Sequence, residues 1–362
     1  MSYLILAINP GSTSTKIALY RDEEELFNES AGHPAEELER FDHVNDQLSM
    51  RLKLVLECLK RHGFEPGILS AVMGRGGLLP PVKTGGYLVD SNMLRLILER
   101  KISPHASNLG AVLAYEIARA GGVNAYIYDA VSANEFPEAV RITGMPEIKR
   151  RSFYHVLNSR AAARKYAQSV GKAYESMRLI VAHLGGGITF GVHMHGKIID
   201  SLADDNGAFG PERAGNVPLL EVIDMCYSGE YSKEEMIRKV RGRGGLRALL
   251  GTSDARAIEK MVAEKDEWAA LVIDAQALQI AKGVALLSPH LGRDCDAIVL
   301  TGGLAFYGAL VEKVKRQLEY LAPVVVMPGE YEMEALALGG LRILRGLEDA
   351  NILSPSPHGL VV

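Results

Sequence analysis

The chain has 362 residues, of which 48% are hydrophobic and 23% charged, with a formal net charge of −4. That length buries one large core or two moderate ones. The slightly acidic balance argues against a nucleic-acid surface, which needs a basic excess or stripe. Cys58, Cys226 and Cys295 stand far apart without a C-x-x-C, so no disulfide framework or Cys-rich zinc site is indicated. No apolar run reads as a membrane span, and Ser2-Tyr3 leads straight into the first strand, leaving no room for a signal peptide. A reduced, cytoplasmic enzyme with no membrane partner is expected.

Leu4 to Ile8 is an apolar run of strand length, and Ile17 to Tyr20 is a second. Between them lies Asn9-Pro10-Gly11-Ser12-Thr13-Ser14-Thr15-Lys16. A Gly that admits close backbone approach, four hydroxyls and a cation suit a phosphate chain; the same residues also build an ordinary hairpin turn. Asp22 to Glu39 is acidic and reads as a loop. Leu48, Leu52, Val55, Leu56 and Leu59 recur at helical spacing, and Gly63 is placed to end that helix. Ile68 to Met73 predicts a strand running into Gly74-Arg75-Gly76-Gly77. Ser103-Pro104-His105-Ala106-Ser107-Asn108 carries helix-start signals, which puts His105 near a helix N-terminus, where an anion is welcome. Ala125 to Tyr128 is a further strand, and Asp129 at its end is either a metal-facing acid or a turn residue. Ile148 to Arg151 reads as a boundary, and Ser152-Phe153-Tyr154-His155 opens the next helix.

The second half repeats the first. Leu179 to Ala182, His183-Leu184-Gly185-Gly186-Gly187 and Ile188 to Val192 again read strand, Gly-rich turn, strand, with His183 where Asn9 stood. Lys197 to Ser201 adds a strand, and Ala203 to Val217 is a long polar loop containing Glu212-Arg213-Ala214-Gly215. Asp254 and Arg256 open a helix with an N-cap signal. Trp268, Leu271, Val272, Ala275 and Leu278 predict a buried helical stripe. Ala297 to Leu300 runs into Thr301-Gly302-Gly303-Leu304, as the strand before Arg75 runs into its own glycines. Pro323 to Met327 is the last strand. Glu330, Glu332 and Glu334 precede a closing helix through Leu347, and the tail from Asn351 reads as loosely held. Two openings on the same pattern imply two similar domains. Neither a Walker-type loop nor a G-x-G-x-x-G after a strand is present.

These motifs resemble those of the acetate and butyrate kinase family, within the superfamily that includes sugar kinases, heat-shock chaperone ATPases and actin. Ile8 to Lys16 resembles the family's first signature. His105-Ala106-Ser107-Asn108 is similar to its His-containing second motif, and Arg150-Arg151-Ser152-Phe153-Tyr154-His155 to its Arg-Arg-x-x-x-His. His183-Leu184-Gly185, Glu212 to Gly215 and Thr301-Gly302-Gly303 follow in matching order. Three departures shift the resemblance toward the butyrate kinases: Gly186 replaces an Asn, Arg75-Gly76-Gly77 replaces Arg-Val-Val, and Ser159 replaces a second His.

The resemblance implies an α/β fold of two duplicated ribonuclease H-like domains, the actin-like ATPase fold, flanking an active-site cleft. Residues 1–155 plus 333–362 are expected to form one domain and 156–332 the other. It implies a phosphotransferase that moves the ATP γ-phosphoryl group reversibly onto butyrate, giving butyryl phosphate and ADP. Isobutyrate, acetate or propionate are the nearer alternatives; a sugar kinase or a non-catalytic ATPase module is more remote. By resemblance, Arg75 and Arg213 flank the carboxylate and the moving phosphoryl group, and His155 donates to its equatorial oxygens. Asp129 and Glu332, with Glu334 as rival, hold Mg²⁺. Asn9, Ser12, Ser14 and Lys16 line the first phosphate turn, and His183, Gly185, Gly186 and Gly187 the second. Asp254, Arg256, Gly302 and Gly303 lie near adenosine. Gly76, Gly77, Pro104, His105 and Tyr154 line the acid pocket, deepened where Gly76 and Gly77 lack side chains. The expected partners are a small carboxylic acid and ATP, in a homo-oligomer.

Overall fold

The computed structural model describes residues 2–353. They fall into two compact units, one holding the chain up to Asn134 and from Tyr331 onward, the other Glu135–Glu330.

The first unit is built on β1 (Leu4–Pro10), β2 (Ser14–Arg21), β3 (Glu24–Gly32), β4 (Ala71–Arg75), β5 (Gly86–Leu88) and β6 (Asn124–Tyr128). They form one sheet in the order β3-β2-β1-β4-β6-β5. β1, β2 and β3 are antiparallel, whereas β1, β4 and β6 run parallel. Parallel strands are covered on both faces, which is why β1 and β4 read as continuous apolar runs. Leu6, Ile8 and Val72 share a core with Leu109, Val112 and Leu113 of the helix Leu109–Gly121. Side chains alternate faces along a strand, so Ile5 and Met73 point the other way, against Gly340 of the helix Glu332–Leu344. The chain returns to this unit at its end because that second face needs a cover.

The second unit is built on β7 (Arg178–Leu184), β8 (Ile188–Met194), β9 (Lys197–Leu202), β10 (Ala297–Gly302) and β11 (Val324–Pro328). Their order is β11-β10-β7-β8-β9, with β7-β8-β9 antiparallel and β7-β10-β11 parallel. This is the order and direction of β6-β4-β1-β2-β3, so the duplication legible at two places in the sequence extends over five strands of each sheet. The chain is an α/β protein of two ribonuclease H-like units with the actin-like ATPase fold.

Several expectations are corrected. The acidic stretch after β2 is not a loop: Glu24–Gly32 pairs with β2 as the edge strand, its polar residues facing outward. The expected division at 155/156 falls instead at 134/135. Glu135 accepts the Ile198 N–H at 3.2 Å, and Arg150 pairs with Asp200 at 2.8 Å, so this segment belongs to the second unit. Glu332, expected there, belongs to the first. In the helix Glu267–Leu287 the buried face carries Ala269, Ile273, Gln276 and Ile280 around Val272, while Trp268, Leu271 and Leu278 are exposed. The segment Glu267–His290 is long and apolar enough to cross a membrane by length and composition, contrary to expectation, yet half of its apolar window is buried inside the unit. The tail is tethered at its start, where Asn351 N–H donates to Gly86 C=O and Leu353 is buried; the rest of it lies outside the described residues.

Candidate active site

In the first unit, parallel register brings three candidates to one sheet edge. Ile8 pairs with Gly74 and Arg75 with Tyr128, so Asn9, Arg75 and Asp129 stand side by side at the carboxyl ends of β1, β4 and β6. That edge is where α/β sheets place ligands. Glu332, first residue of its helix, completes the cluster. Asn9 Nδ2 donates to Glu332 Oε2 at 2.6 Å, and Arg75 Nη1 donates to the same oxygen at 3.0 Å and to Asn9 Oδ1 at 3.2 Å. Glu334, one step round the helix, lies instead near Tyr20, whose hydroxyl it helps keep protonated after burial and Glu25. The guanidinium of Arg75 is thus held from one corner. Its Nε is buried without a partner among the described residues, and a buried donor is costly to leave unmet.

Asp129 is buried and adopts a left-handed backbone, φ 46°, which is strained for a residue with a side chain. Its N–H and Oδ1 clasp Gly85, donating to the carbonyl and accepting the amide N–H. His105 caps the short turn Ala106–Asn108, its Nδ1 accepting the Ser107 N–H at 3.2 Å. An accepting Nδ1 puts the ring proton on Nε2. Desolvation first, then the charge of Arg75, disfavours protonation of this ring. Pro104 beside it is exposed.

Lys16 stands opposite Asn9 across the first hairpin, whose tip is closed by Gly11 N–H to Ser14 C=O at 2.8 Å. Ser12 is exposed and Ser14 half-buried.

In the second unit, Thr301 registers with His183, again at the carboxyl ends of parallel strands. The Asn158 amide donates to His183 Nδ1 at 2.9 Å and to Thr301 Oγ1 at 3.3 Å. That bond assigns the His183 proton to Nε2. His155 stacks on His183 with ring centres 3.9 Å apart, and its Nδ1 meets Thr189 Oγ1 at 2.9 Å. Arg213 Nε donates to buried Asp204 at 2.9 Å, and Arg241 Nη2 holds the other oxygen of that carboxylate at 2.7 Å. Gly187 lies against Asp204 and Arg213, which joins the Gly185–Gly187 turn to this ion cluster, and Gly186 faces open space. Gly302 ends β10 in paired bonds with Gly329, and Gly303 is exposed after it.

Other expectations fail. A side chain at Gly77 would place its first carbon 2.1 Å from Asn108 Oδ1 and 2.7 Å from Asn108 Cα; at Gly76 it would lie 2.6 Å from Ala130 Cα. These glycines let chain segments touch and do not deepen a pocket. Tyr154 is buried beneath Gly191, with its hydroxyl 3.2 Å from the Val181 carbonyl and 3.0 Å from His193 Nε2; it is core, not pocket lining. The adenosine-side expectation stands apart from these failures: Asp254 and Arg256 are exposed, and Asp254 caps its helix by accepting the Arg256 N–H. The sequence reading missed Asn158, Thr189, Asp204 and Arg241, which orient the predicted residues. It also missed Arg51, whose only signal is its place on the stripe of Leu48, Val55 and Leu59.

Two carboxylates, Asp129 and Glu332, suit a hard divalent cation, because Mg²⁺ is commonly held by one or two carboxylates plus substrate phosphates. Glu332 fits on its own geometry: the residue is buried, and both of its hydrogen bonds from Asn9 and Arg75 fall on Oε2, leaving Oε1 outside those two bonds. The one group of three metal-ligating side chains found there, Glu29, Cys58 and His62, lies elsewhere.

Duplicated ribonuclease H-like units, each with a hairpin turn at the carboxyl end of its first strand, define the actin-like ATPase fold class. The acetokinase family model matches residues 143–325. Over 350 residues, covering 96% of this chain and 99% of the relative, the sequence is 43% identical to butyrate kinase 1 of Clostridium acetobutylicum. The fold matches the acetate kinase of Porphyromonas gingivalis with a TM-score of 0.76 at 18% identity, covering 94% of this chain and all of that one. It matches a propionate kinase of Francisella tularensis with a TM-score of 0.71 at 17% identity, covering 93% and 98%. The chain belongs to the acetokinase family and is an enzyme of the carboxylate phosphotransferase class.

Proposed function

We propose that this enzyme transfers the ATP γ-phosphoryl group reversibly to butyrate, giving butyryl phosphate and ADP. The acceptor is supported by the full-length similarity to a butyrate kinase. The chemistry is supported above all by one observation: Arg75 is fixed by Asn9 and Glu332 at the carboxyl end of its strand while its side chain keeps 20% exposure. An incoming anion meets the accessible part of this side chain, and a guanidinium fork matches carboxylate and phosphoryl oxygens.

An aliphatic acid, with a pKa near the ~4.3 of Glu, is already ionised at neutral pH, so no general base is required. One carboxylate oxygen attacks the γ-phosphorus, the bond to the β,γ-bridging oxygen breaks, and ADP leaves with that electron pair. The demand is for cations and positioned donors. Arg75 binds the carboxylate, and Arg213, braced by Asp204, supplies its terminal nitrogens to the moving phosphoryl group. His155, stacked on His183, donates to equatorial oxygens. The first hairpin, with Asn9, Ser12, Ser14 and Lys16, and the Gly185–Gly187 turn with His183 bind phosphates. Gly302 and Gly303 lie by the adenosine. Asp129 and Glu332 would hold Mg²⁺, which when bound neutralises charge between the β- and γ-phosphates.

A second copy of the chain is the proposed partner. The helix Leu219–Tyr227 has no buried residue, and Leu219, Leu220 and Tyr227 are 66%, 73% and 88% exposed. An apolar helix this uncovered fits a homo-oligomer interface; light scattering giving a monomer mass at micromolar concentration rejects it. Free thiols at Cys58, Cys226 and Cys295 fit the reduced cytoplasm.

The test of function is coupled ADP release across acetate, propionate, butyrate, isobutyrate and hexoses. Butyrate should exceed acetate by about tenfold or more in kcat/KM, the scale set by added methylenes. A preference for acetate rejects the acceptor, and a preference for a hexose rejects the class.

A further inference from the structure

The helix Leu48–Arg61 carries Arg51 on its buried face, with no exposed surface at all. A guanidinium stays charged in proteins, and a buried charge is costly unless an opposite charge accompanies it. No carboxylate accompanies this one among the described residues. Its Nη1 donates to Ser14 C=O at 3.1 Å and to Thr15 Oγ1 at 2.8 Å. Its Nη2 reaches Ser12 C=O at 3.5 Å, and Gln47 Oε1 takes Nε at 3.1 Å and Nη2 at 2.9 Å. Every acceptor is neutral. Thr15 Oγ1 also meets His33 Nε2 at 2.9 Å, and burial, then Arg51, disfavour a proton on that ring. The positive charge therefore stands uncompensated directly behind the first Gly-Ser-Thr turn.

The contacts have a second consequence. A trans peptide points its N–H opposite to its C=O. With the Ser12 carbonyl turned inward to Arg51, the Thr13 N–H of the same peptide points outward, and both Ser12 and Thr13 are exposed.

We propose that Arg51 is a positioning residue for polyphosphate: it holds the first turn donor-side outward, and the phosphate chain of the nucleotide supplies its missing counter-charge. This rests on the assignment of the Asn9–Lys16 turn to ATP phosphates. It differs from the roles of Arg75 and Arg213 because Arg51 is sealed from solvent and touches no reacting atom.

The test is calorimetric binding of ATP, tripolyphosphate and adenosine to the full-length wild type, Arg51→Met and Arg51→Lys, beside steady-state kinetics. Losing a charged hydrogen-bonding partner should weaken ATP and tripolyphosphate by about 10-fold or more in Arg51→Met, leaving adenosine affinity and the KM for butyrate within about twofold. Arg51→Lys restores the charge without the fork, so its tripolyphosphate affinity should fall between the two. ATP and tripolyphosphate affinities equal to wild type in folded Arg51→Met overturn the proposal, as does an equal loss for adenosine, which marks general damage. If Arg51→Met does not fold, Arg51→Lys decides: unchanged tripolyphosphate affinity overturns it. Tripolyphosphate binding is independent of the acid used, so a wrong acceptor leaves this contrast intact.

Discussion

Arg75 and Glu332 form an ion pair at 3.0 Å although 257 residues separate them. The pair exists because β4 and the closing helix belong to the same unit, and it fixes the orientation of the guanidinium at the sheet edge. Arg75→Ala should lower kcat by about 10²–10³, the usual loss on removing one transition-state donor. Glu332→Gln keeps the shape but removes the charge that orients Arg75 and would hold Mg²⁺. It should raise the Mg²⁺ concentration needed for half-maximal rate, with butyrate KM rising as well. Unchanged metal dependence would remove Glu332 from the metal site, and full activity in excess chelator would remove the metal itself.

Asp204 is shared by Arg213 and Arg241. It is buried, and breaking a buried pair strands charge. Asp204→Asn should therefore reduce kcat nearly as much as Arg213→Ala, about 10²-fold or more, although Asp204 touches no reacting atom. The double variant should be no worse than the more damaged single one, because both act through the same guanidinium. Additive losses would show that the two residues act independently.

His193 gives a pH signature. It lies fully buried between Tyr154 and Tyr174, with Nε2 and Nδ1 at 3.0 and 2.8 Å from their hydroxyls. Burial, assisted by Arg160, lowers its pKa from 6.5 to about 3. In that window the unfolded chain binds a proton that the native chain refuses, so stability rises with pH from about 3 to 6.5 and this contribution is flat above. The slope for one proton is about 1.4 kcal/mol per pH unit. His193→Gln should remove up to that slope from urea midpoints measured between pH 4.5 and 6.5. An unchanged slope would assign the acid sensitivity to other groups.

Most of the fold was legible because strand-length apolar runs followed by Gly-rich turns occur twice in the same order. The edge strand Glu24–Gly32 was not, since an edge strand facing water carries the polar composition of a loop. The stripe in Glu267–Leu287 was misread because that helix is apolar nearly all round, and periodicity then gives no unique face. At the candidate site, Asn9, Arg75, His155, His183 and Arg213 were marked by motif resemblance, and the structure joins Asn9 to Arg75 in the first unit, and His155 to His183 and Arg213 to the Gly185–Gly187 turn in the second. Their supports, Asn158, Asp204 and Arg241, were not legible, because Asn, Asp and Arg in polar loops or helices carry no local mark of the tertiary bond they make. Arg51 carried a faint one, a charge on an apolar stripe, which only three-dimensional placement turned into meaning.

Gly77 separates backbone geometry from pocket shape. If Gly76 and Gly77 deepened an acid pocket, filling one would penalise butyrate and spare acetate. The structure puts the Asn108 backbone where the new carbon would go, and Asn108 is itself engaged, its Oδ1 accepting the Leu78 N–H at 2.8 Å. Gly77→Ala must therefore push the Arg75–Leu78 segment away from the start of the helix Leu109–Gly121. That displaces Arg75 for every acid alike. The expected result is a lower melting temperature, from overpacking worth about 1–3 kcal/mol, and falls in kcat/KM for acetate and butyrate that agree within about threefold. A selective loss on butyrate, at unchanged melting temperature, would return the glycines to the pocket.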